Sequence, residues 1–237
     1  MKQFLIVILI SFSELFSFAQ PVKIMLVTGG REFDSSKFLE LFDSFKGIEY
    51  ELYQQPAANQ KIANDMAKDF DVLVFYDEWQ NISENEKAAY LNMAENGKPF
   101  LFLHQSIKSY QNWPEYEKLI GGKYFLKARD VSDELLSTQN EDVWVYVDVE
   151  NYTPVTVGFR QVRFFDEVYD NVRVADDIIP LLKTRHPQSI EFIAWQHKYK
   201  SSDVVYIQPG YDYRTYGSDD YRKLIKQAIL FLAKKKQ

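Results

Sequence analysis

Apolar residues along this chain fall into short unbroken runs that alternate with segments of helical period. VKIMLVTGG, starting at Val22, is an apolar run closed by a glycine pair, and IEYELY reads as a second strand. FDVLVFYDEW and FLFLH are apolar nearly throughout, as strands are when both faces of a sheet are covered. Between the first two strands SKFLELFDSF puts Phe38, Leu41, Phe42 and Phe45 on one helical face, and QKIANDMAKDF then reads as a second helix. A third helix is punctuated at both ends. Ser83 and Glu86 form an S-x-x-E capping box, Gly97 stands at the C-terminal position, and Pro99 stops the helix. Alternating β and α units of this length predict a parallel sheet with helices on both faces.

The second half is less regular. DVWVYVDV alternates from Val143 to Val149, RQVRFFDEVY is extended, and IIPLLKTR and FIAWQHKY have strand character. DVVYIQPGYD is the last strand of the main sheet, and the final helix lines up Tyr221, Leu224, Ile225, Ala228 and Leu232. No Gly/Ser/Pro linker divides the chain and no repeat is visible, so residues 20–237 are expected to form one domain. The expected fold is α/β: a mostly parallel, doubly wound sheet with an antiparallel elaboration near residues 125–190. KIMLVT, VLVFY, FLFLH and VVYIQ should be neighbouring central strands.

Composition changes the picture in three places. The 237 residues carry a net charge of −6, which argues against a nucleic-acid partner, because such proteins cluster Lys and Arg. The one basic run, Lys234–Lys236, closes the last helix, where it suits the negative end of the helix dipole. Aromatics make up 16%; a sugar site would use some as stacking platforms, although most belong to the core. Residues 1–19 combine Lys2, an apolar run from Phe4 to Ile10, and Ser17 and Ala19 placed before a cut ahead of Gln20. This is the layout of a secretory signal peptide, with a first strand or an uncleaved anchor as the alternative. The run is too short to span a bilayer. A periplasmic or secreted protein is expected, with no stable membrane insertion after cleavage. There is no cysteine, hence no thiolate nucleophile and no Cys-ligated metal.

Ligands of open α/β sheets bind beyond the carboxyl ends of the strands. The tips that would converge there are Thr28-Gly29-Gly30-Arg31, Tyr76-Asp77-Glu78, His104-Gln105-Ser106 and Gly210-Tyr211-Asp212. The glycine pair would let backbone approach a ligand, but it has neither the dinucleotide nor the P-loop pattern. His104 sits between strand and helix, where a nucleophile elbow places its reactive residue. Two readings stand for it: a general acid or base, or a histidine satisfied by backbone groups. Ser106 lacks flanking glycines and reads as a loop or capping serine. His186 precedes proline and reads as a loop residue, while His197 faces either a site or solvent. Three separated histidines make a poor metal signature, and neither metal nor cofactor is expected. Asp166 and Glu167 are adjacent on a strand and should point to opposite faces, with one in a pocket and the other solvated.

LVTGG, DVLVFYD, the LH closing the fourth strand, NWPEYEKLIGGKY, DEVY, AW and GYD occur in that order, and together they resemble the trehalose-utilisation (ThuA-like) family. The resemblance runs from about residue 22 to 233. It implies a flavodoxin-like sheet similar to that of class I glutamine amidotransferases, and an association with disaccharide and other sugar use. The amidotransferase cysteine is absent and His104 takes the elbow position, so glutamine hydrolysis is excluded. Family histidines are replaced by Gln105, by Thr153 before Pro154, and by Tyr211 within Gly210-Tyr211-Asp212.

The expected function is an exported carbohydrate-processing protein acting on a modified or oxidised sugar. His104 would be acid or base, with Asp77 or Glu167 as orienting carboxylate. Gly29, Gly30, Arg31, Trp113, Tyr211 and Asp212 would contact the substrate. The lost histidines support the other reading, a non-catalytic sugar-binding or interaction domain.

Overall fold

The apolar runs become the centre of one nine-stranded sheet in the computed structural model, which describes residues 20–126 and 136–234. The leader expected over residues 1–19 lies outside the described residues. The first half contributes β1 (Val22–Gly29), β2 (Ile48–Gln54), β3 (Val72–Asp77) and β4 (Phe100–Leu103), with β5 (Gly122–Lys123) closing it. The second half adds β6 (Thr138–Val149), β7 (Gln161–Asp170), β8 (Arg173–Val174), β9 (Ile179–Thr184), β10 (Phe192–Tyr199) and β11 (Ser202–Ile207). The sheet order is β2-β1-β3-β4-β11-β10-β9-β6-β7, and β5 pairs separately with β8.

Pairing is parallel from β2 through β11 and antiparallel from β11 to β7. The four apolar strands expected at the centre are indeed neighbours, β1-β3-β4-β11. The antiparallel part continues this same sheet, and it reaches beyond residue 190 to Tyr199 at the end of β10.

Helices cover both faces. On one side lie α1 (Ser35–Asp43), α5 (Tyr213–Tyr216) and α6 (Asp219–Leu232), packed on Ile24, Leu26, Val74 and Val205. On the other lie α2 (Ala57–Ala63), α3 (Glu84–Glu95) and α4 (Pro114–Ile120), packed on Met25, Val27, Phe75 and Phe102. Alternate residues of one strand thus enter opposite layers, which is why these strands are apolar throughout. The capping box holds as read, with Ser83 accepting from Glu86 N and the Glu86 side chain returning to Ser83 N. The second helix is shorter than its pattern implied. It ends at Ala63, and Asp65 adopts a left-handed conformation (φ 59°) before a 3-10 turn over Met66–Asp69. Aspartate is among the few residues that tolerate that region. Among the described residues no helix is long and apolar enough to cross a membrane.

The antiparallel half does not lie flat. Strand β7 is five places from β4 in the sheet order, which in a flat sheet would separate them by roughly 24 Å. Yet Glu167 on β7 comes within 3.0 Å of His104 at the end of β4. The sheet therefore curls, and its last strand returns over the carboxyl edge of the parallel half.

Candidate functional site

His104 occupies the first position after β4 with φ 45°, a left-handed conformation that is rare for a residue with a side chain. Tyr206, on the neighbouring strand β11, donates to the His104 carbonyl at 3.0 Å and helps hold that turn. The imidazole Nδ1 lies 2.7 Å from the Gln208 carbonyl. A carbonyl only accepts, so Nδ1 carries the proton and Nε2 is left for chemistry. Nε2 is 3.0 Å from the Tyr169 hydroxyl and 3.0 Å from Glu167 Oε2. Neutral His104 can accept from Tyr169; protonated at Nε2, it forms an ion pair with Glu167.

Glu167 is the charge centre. Its carboxylate is sealed from solvent, and neither oxygen meets an aligned hydrogen-bond donor among the described residues. Two further cations surround it, Lys108 Nζ at 3.9 Å and Arg31 Nη1 at 4.0 Å. Burial alone would raise the Glu167 pKa, but His104 and then Lys108 outweigh it and hold the group below the ordinary glutamate value. Lys108 is itself buried, lies over the Tyr169 and Tyr124 rings, and donates to Gln139 Oε1 at 2.7 Å. Burial lowers its pKa, with Glu167 opposing.

Arg31 and Tyr211 form the outer wall. The Arg31 guanidinium lies 5.5 Å from the Tyr211 ring centroid and 3.6 Å from Glu141, and the Tyr211 hydroxyl donates to Glu141 at 2.7 Å. The Tyr211 ring stands 5.9 Å from the imidazole.

Asp166 corrects an expectation. One of the pair Asp166 and Glu167 was expected to be solvated, but both are buried. Asp166 accepts from Gly210 N at 2.8 Å, Tyr211 N at 3.1 Å and Thr215 Oγ1 at 2.7 Å. It therefore ties the loop after β11 to β7, and burial raises its pKa. His104, at the tip of its strand, is fully enclosed, with no solvent exposure. Ser106, read as a loop or capping serine, lies within a 3-10 turn over His104–Lys108 and donates to the Phe75 carbonyl at 2.9 Å.

Several expected site residues sit elsewhere. Asp77 lies in a separate buried network, accepting from Gln55 Nε2 at 2.8 Å beside Asn59, Tyr90 and Tyr110. Burial pushes its carboxyl up to about 7, against the hydrogen bond from Gln55. Trp113 is core, packed on Tyr90, Tyr110 and Tyr116. Asp212 caps α5 and binds the Arg214 guanidinium. The glycine pair serves strand-to-strand approach: a Cβ on Gly30 would stand 1.7 Å from the Glu78 carbonyl oxygen, and one on Gly29 3.1 Å from Gln55 N. His197 is buried, its Nε2 3.0 Å from the Leu119 carbonyl.

Sequence reading missed Lys108, Tyr169 and Glu141. Tyr169 was within reach, since it lies two residues after Glu167 on the same strand and shares its face. Lys108 and Glu141 carry no such signal. Among the described residues no group of three or more His, Asp or Glu side chains is arranged to hold a metal ion.

The profile of the ThuA family, described as trehalose utilisation, matches residues 33–232. No curated protein matches the sequence. A ThuA-like protein of Parabacteroides merdae superposes with a TM-score of 0.72 at 14% identity, over 90% of each chain. One from Bacteroides uniformis gives 0.69 at 16% identity, over 94% of this chain and 95% of that one. The same fold forms part of a β-galactosidase from Bacillus circulans sp. alkalophilus, with a TM-score of 0.58 at 7% identity, covering 87% of this chain and 30% of the enzyme.

Proposed function

The chain belongs to the ThuA, trehalose-utilisation family, and from that premise we propose that it is an exported carbohydrate-processing protein acting on a modified or oxidised sugar. One observation carries the chemical part: a sealed Glu167 carboxylate ringed by His104, Lys108 and Arg31 beyond the carboxyl ends of β1 and β4. In this reading His104 Nε2 takes a proton from a sugar hydroxyl or an activated C–H, and Glu167 stabilises the imidazolium that results. Tyr169 orients the ring in its neutral state. Arg31 and Tyr211, the more exposed members, meet the sugar first. Export is supported by the pattern of residues 1–19.

A second reading, a non-catalytic sugar-binding domain, is favoured by the complete burial of His104 and by its fixed bond to the Gln208 carbonyl. The test for both is a thermal-shift screen with disaccharides and keto-sugars on the wild type and Glu167→Gln. Mass action should raise the melting temperature of the wild type. The variant should lose that response, and turnover of the hit separates enzyme from binder. A sugar that stabilises both proteins equally would remove the site from the reading. No response to any sugar would overturn the reading as a whole.

A further inference from the structure

The hairpin of β6 and β7 has two unlike faces. Val145, Val147, Phe164 and Val168 point into the core beside α6. The opposite face carries Trp144, Tyr146, Arg163 and Phe165, with Trp144 49% and Tyr146 57% exposed. Cross-strand register sets Trp144 against Phe165 and Tyr146 against Arg163, so the four form one patch. Trp144 stands between two depressions. One, of about 510 Å³, runs past Arg163, Phe165 and Arg214; the other, of about 400 Å³, runs past Tyr146, Arg185, His186 and Asp148, whose carboxylate accepts from Gln161.

The cations of this patch differ in how they are held. Arg214 lies over the Phe165 ring at 4.5 Å and is neutralised by Asp212 and Asp142, so it acts as a wall. Arg163 lies over the Trp144 ring at 4.7 Å and has no ion pair among the described residues, and Arg185 has none either. Stacking holds a guanidinium by its face and leaves the in-plane N–H groups free, the geometry that receives a carboxylate in two parallel bonds. Unpaired arginines are notable on a chain of net charge −6. Exposed Trp and Tyr rings beside them offer flat apolar surface with a polar edge, which suits the faces of sugar rings.

We propose that this outer hairpin face is a second ligand-binding surface, taking a carboxylate-bearing oligosaccharide whose rings pack against Trp144 and Tyr146 and whose carboxylates meet Arg163 and Arg185. Phe165 and Glu167 are alternate residues of β7 and share a side, about 7 Å apart along the strand. The surface therefore lies on the same side of β7 as Glu167, whose own carboxylate is sealed. In this respect the inference rests on the carbohydrate reading above and deepens it, making the substrate an acidic chain with several sugars bound outside the reacting one.

Calorimetric titration with tetragalacturonate and with a neutral oligosaccharide of equal length tests it. The acidic chain should bind, with affinity falling as salt rises, and the neutral one should bind at least tenfold more weakly. Trp144→Ala and Arg163→Gln should each weaken binding at least fivefold while leaving the melting temperature of the free protein unchanged, because both side chains are on the surface. Oligoalginate serves as the second acidic probe. Failure of both acidic chains to bind, or binding that neither substitution alters, would overturn the proposal. So would sedimentation showing a dimer that Trp144→Ala dissociates, which assigns the face to a second copy. If the face fails while a small sugar still stabilises the wild type but not Glu167→Gln, the reading of the Glu167 site stands alone.

Discussion

Glu167 Oε2 and His104 Nε2 lie 3.0 Å apart, with both side chains sealed from solvent. These two groups come from strands that are not neighbours, and their meeting depends on the curl of the antiparallel half. An isolated carboxylate in that position would be costly to bury, so the imidazole, Lys108 and Arg31 stabilise the fold.

His104→Ala should therefore destabilise strongly, although a strand-tip histidine on a pocket rim would be expected to tolerate it. Removing one partner of a buried pair costs up to about 3–5 kcal/mol where the remaining charge is left uncompensated, and Lys108 and Arg31 offset part of that here. Adding Glu167→Gln should recover part of that loss, since the carboxylate no longer needs the imidazole, while buried Lys108, which loses Glu167 at 3.9 Å, limits the recovery. Urea denaturation of both single variants and the double variant measures the coupling. Additive losses would show that the pair does not act as a unit. If the protein is an enzyme, His104→Ala should also lower its rate about 10²–10⁴-fold.

Asp77 gives a pH signature of opposite sign to that of Glu167. Its folded pKa is raised to about 7 by burial, so between the unfolded value of about 3.9 and 7 the native state holds a proton that the unfolded chain has released. Its contribution is present below that window and is lost as pH rises through it, by up to about 4 kcal/mol. Asp77→Asn should remove this term, gaining on the wild type between pH 4.5 and 7.5. Equal pH slopes for the two proteins in urea titrations would refute the assignment.

Gly30→Ala should be far worse than Gly47→Ala. Both glycines have positive φ, +88° and +79°, so both substitutions carry a backbone cost of about 1 kcal/mol. Only Gly30 meets backbone, the Glu78 carbonyl at 1.7 Å, whereas Gly47 faces open space. The tip of β1 must move away from the residue after β3. Thermal melts of the two variants should differ by several degrees, and similar melts would mean that the tips are free to separate.

Trp113→Ala should act on stability and not on ligand recognition. The ring is buried among Tyr90, Tyr110 and Tyr116 at the start of α4, and truncating such a side chain costs about 3–5 kcal/mol. Trp113→Phe should retain much of that stability. Sugar-induced thermal shifts in Trp113→Phe should match those of the wild type; a specific loss of response would return the residue to the site.

The sequence by itself determined the nine strands of the main sheet, the two helical layers, the neighbouring β1, β3, β4 and β11, and the carboxyl edge as the place where His104, Arg31 and Tyr211 meet. Those features follow from period and punctuation: an unbroken apolar run must be covered on both sides, and a parallel strand must be followed by a crossover. The family resemblance added the expectation of sugar utilisation. Tertiary structure alone decided the rest. Period two tells that Asp166 and Glu167 face opposite ways, but not that the loop at Gly210 supplies backbone donors to the first while His104 meets the second. Nor does it tell that Asp77, at the tip of β3, turns into a tyrosine-lined network away from the imidazole, or that Trp113 is core. Each of these depends on which residues, distant in sequence, cover a given face. That was set when the antiparallel half curled back and placed β7 beside β4, a long-range arrangement that local pattern does not encode.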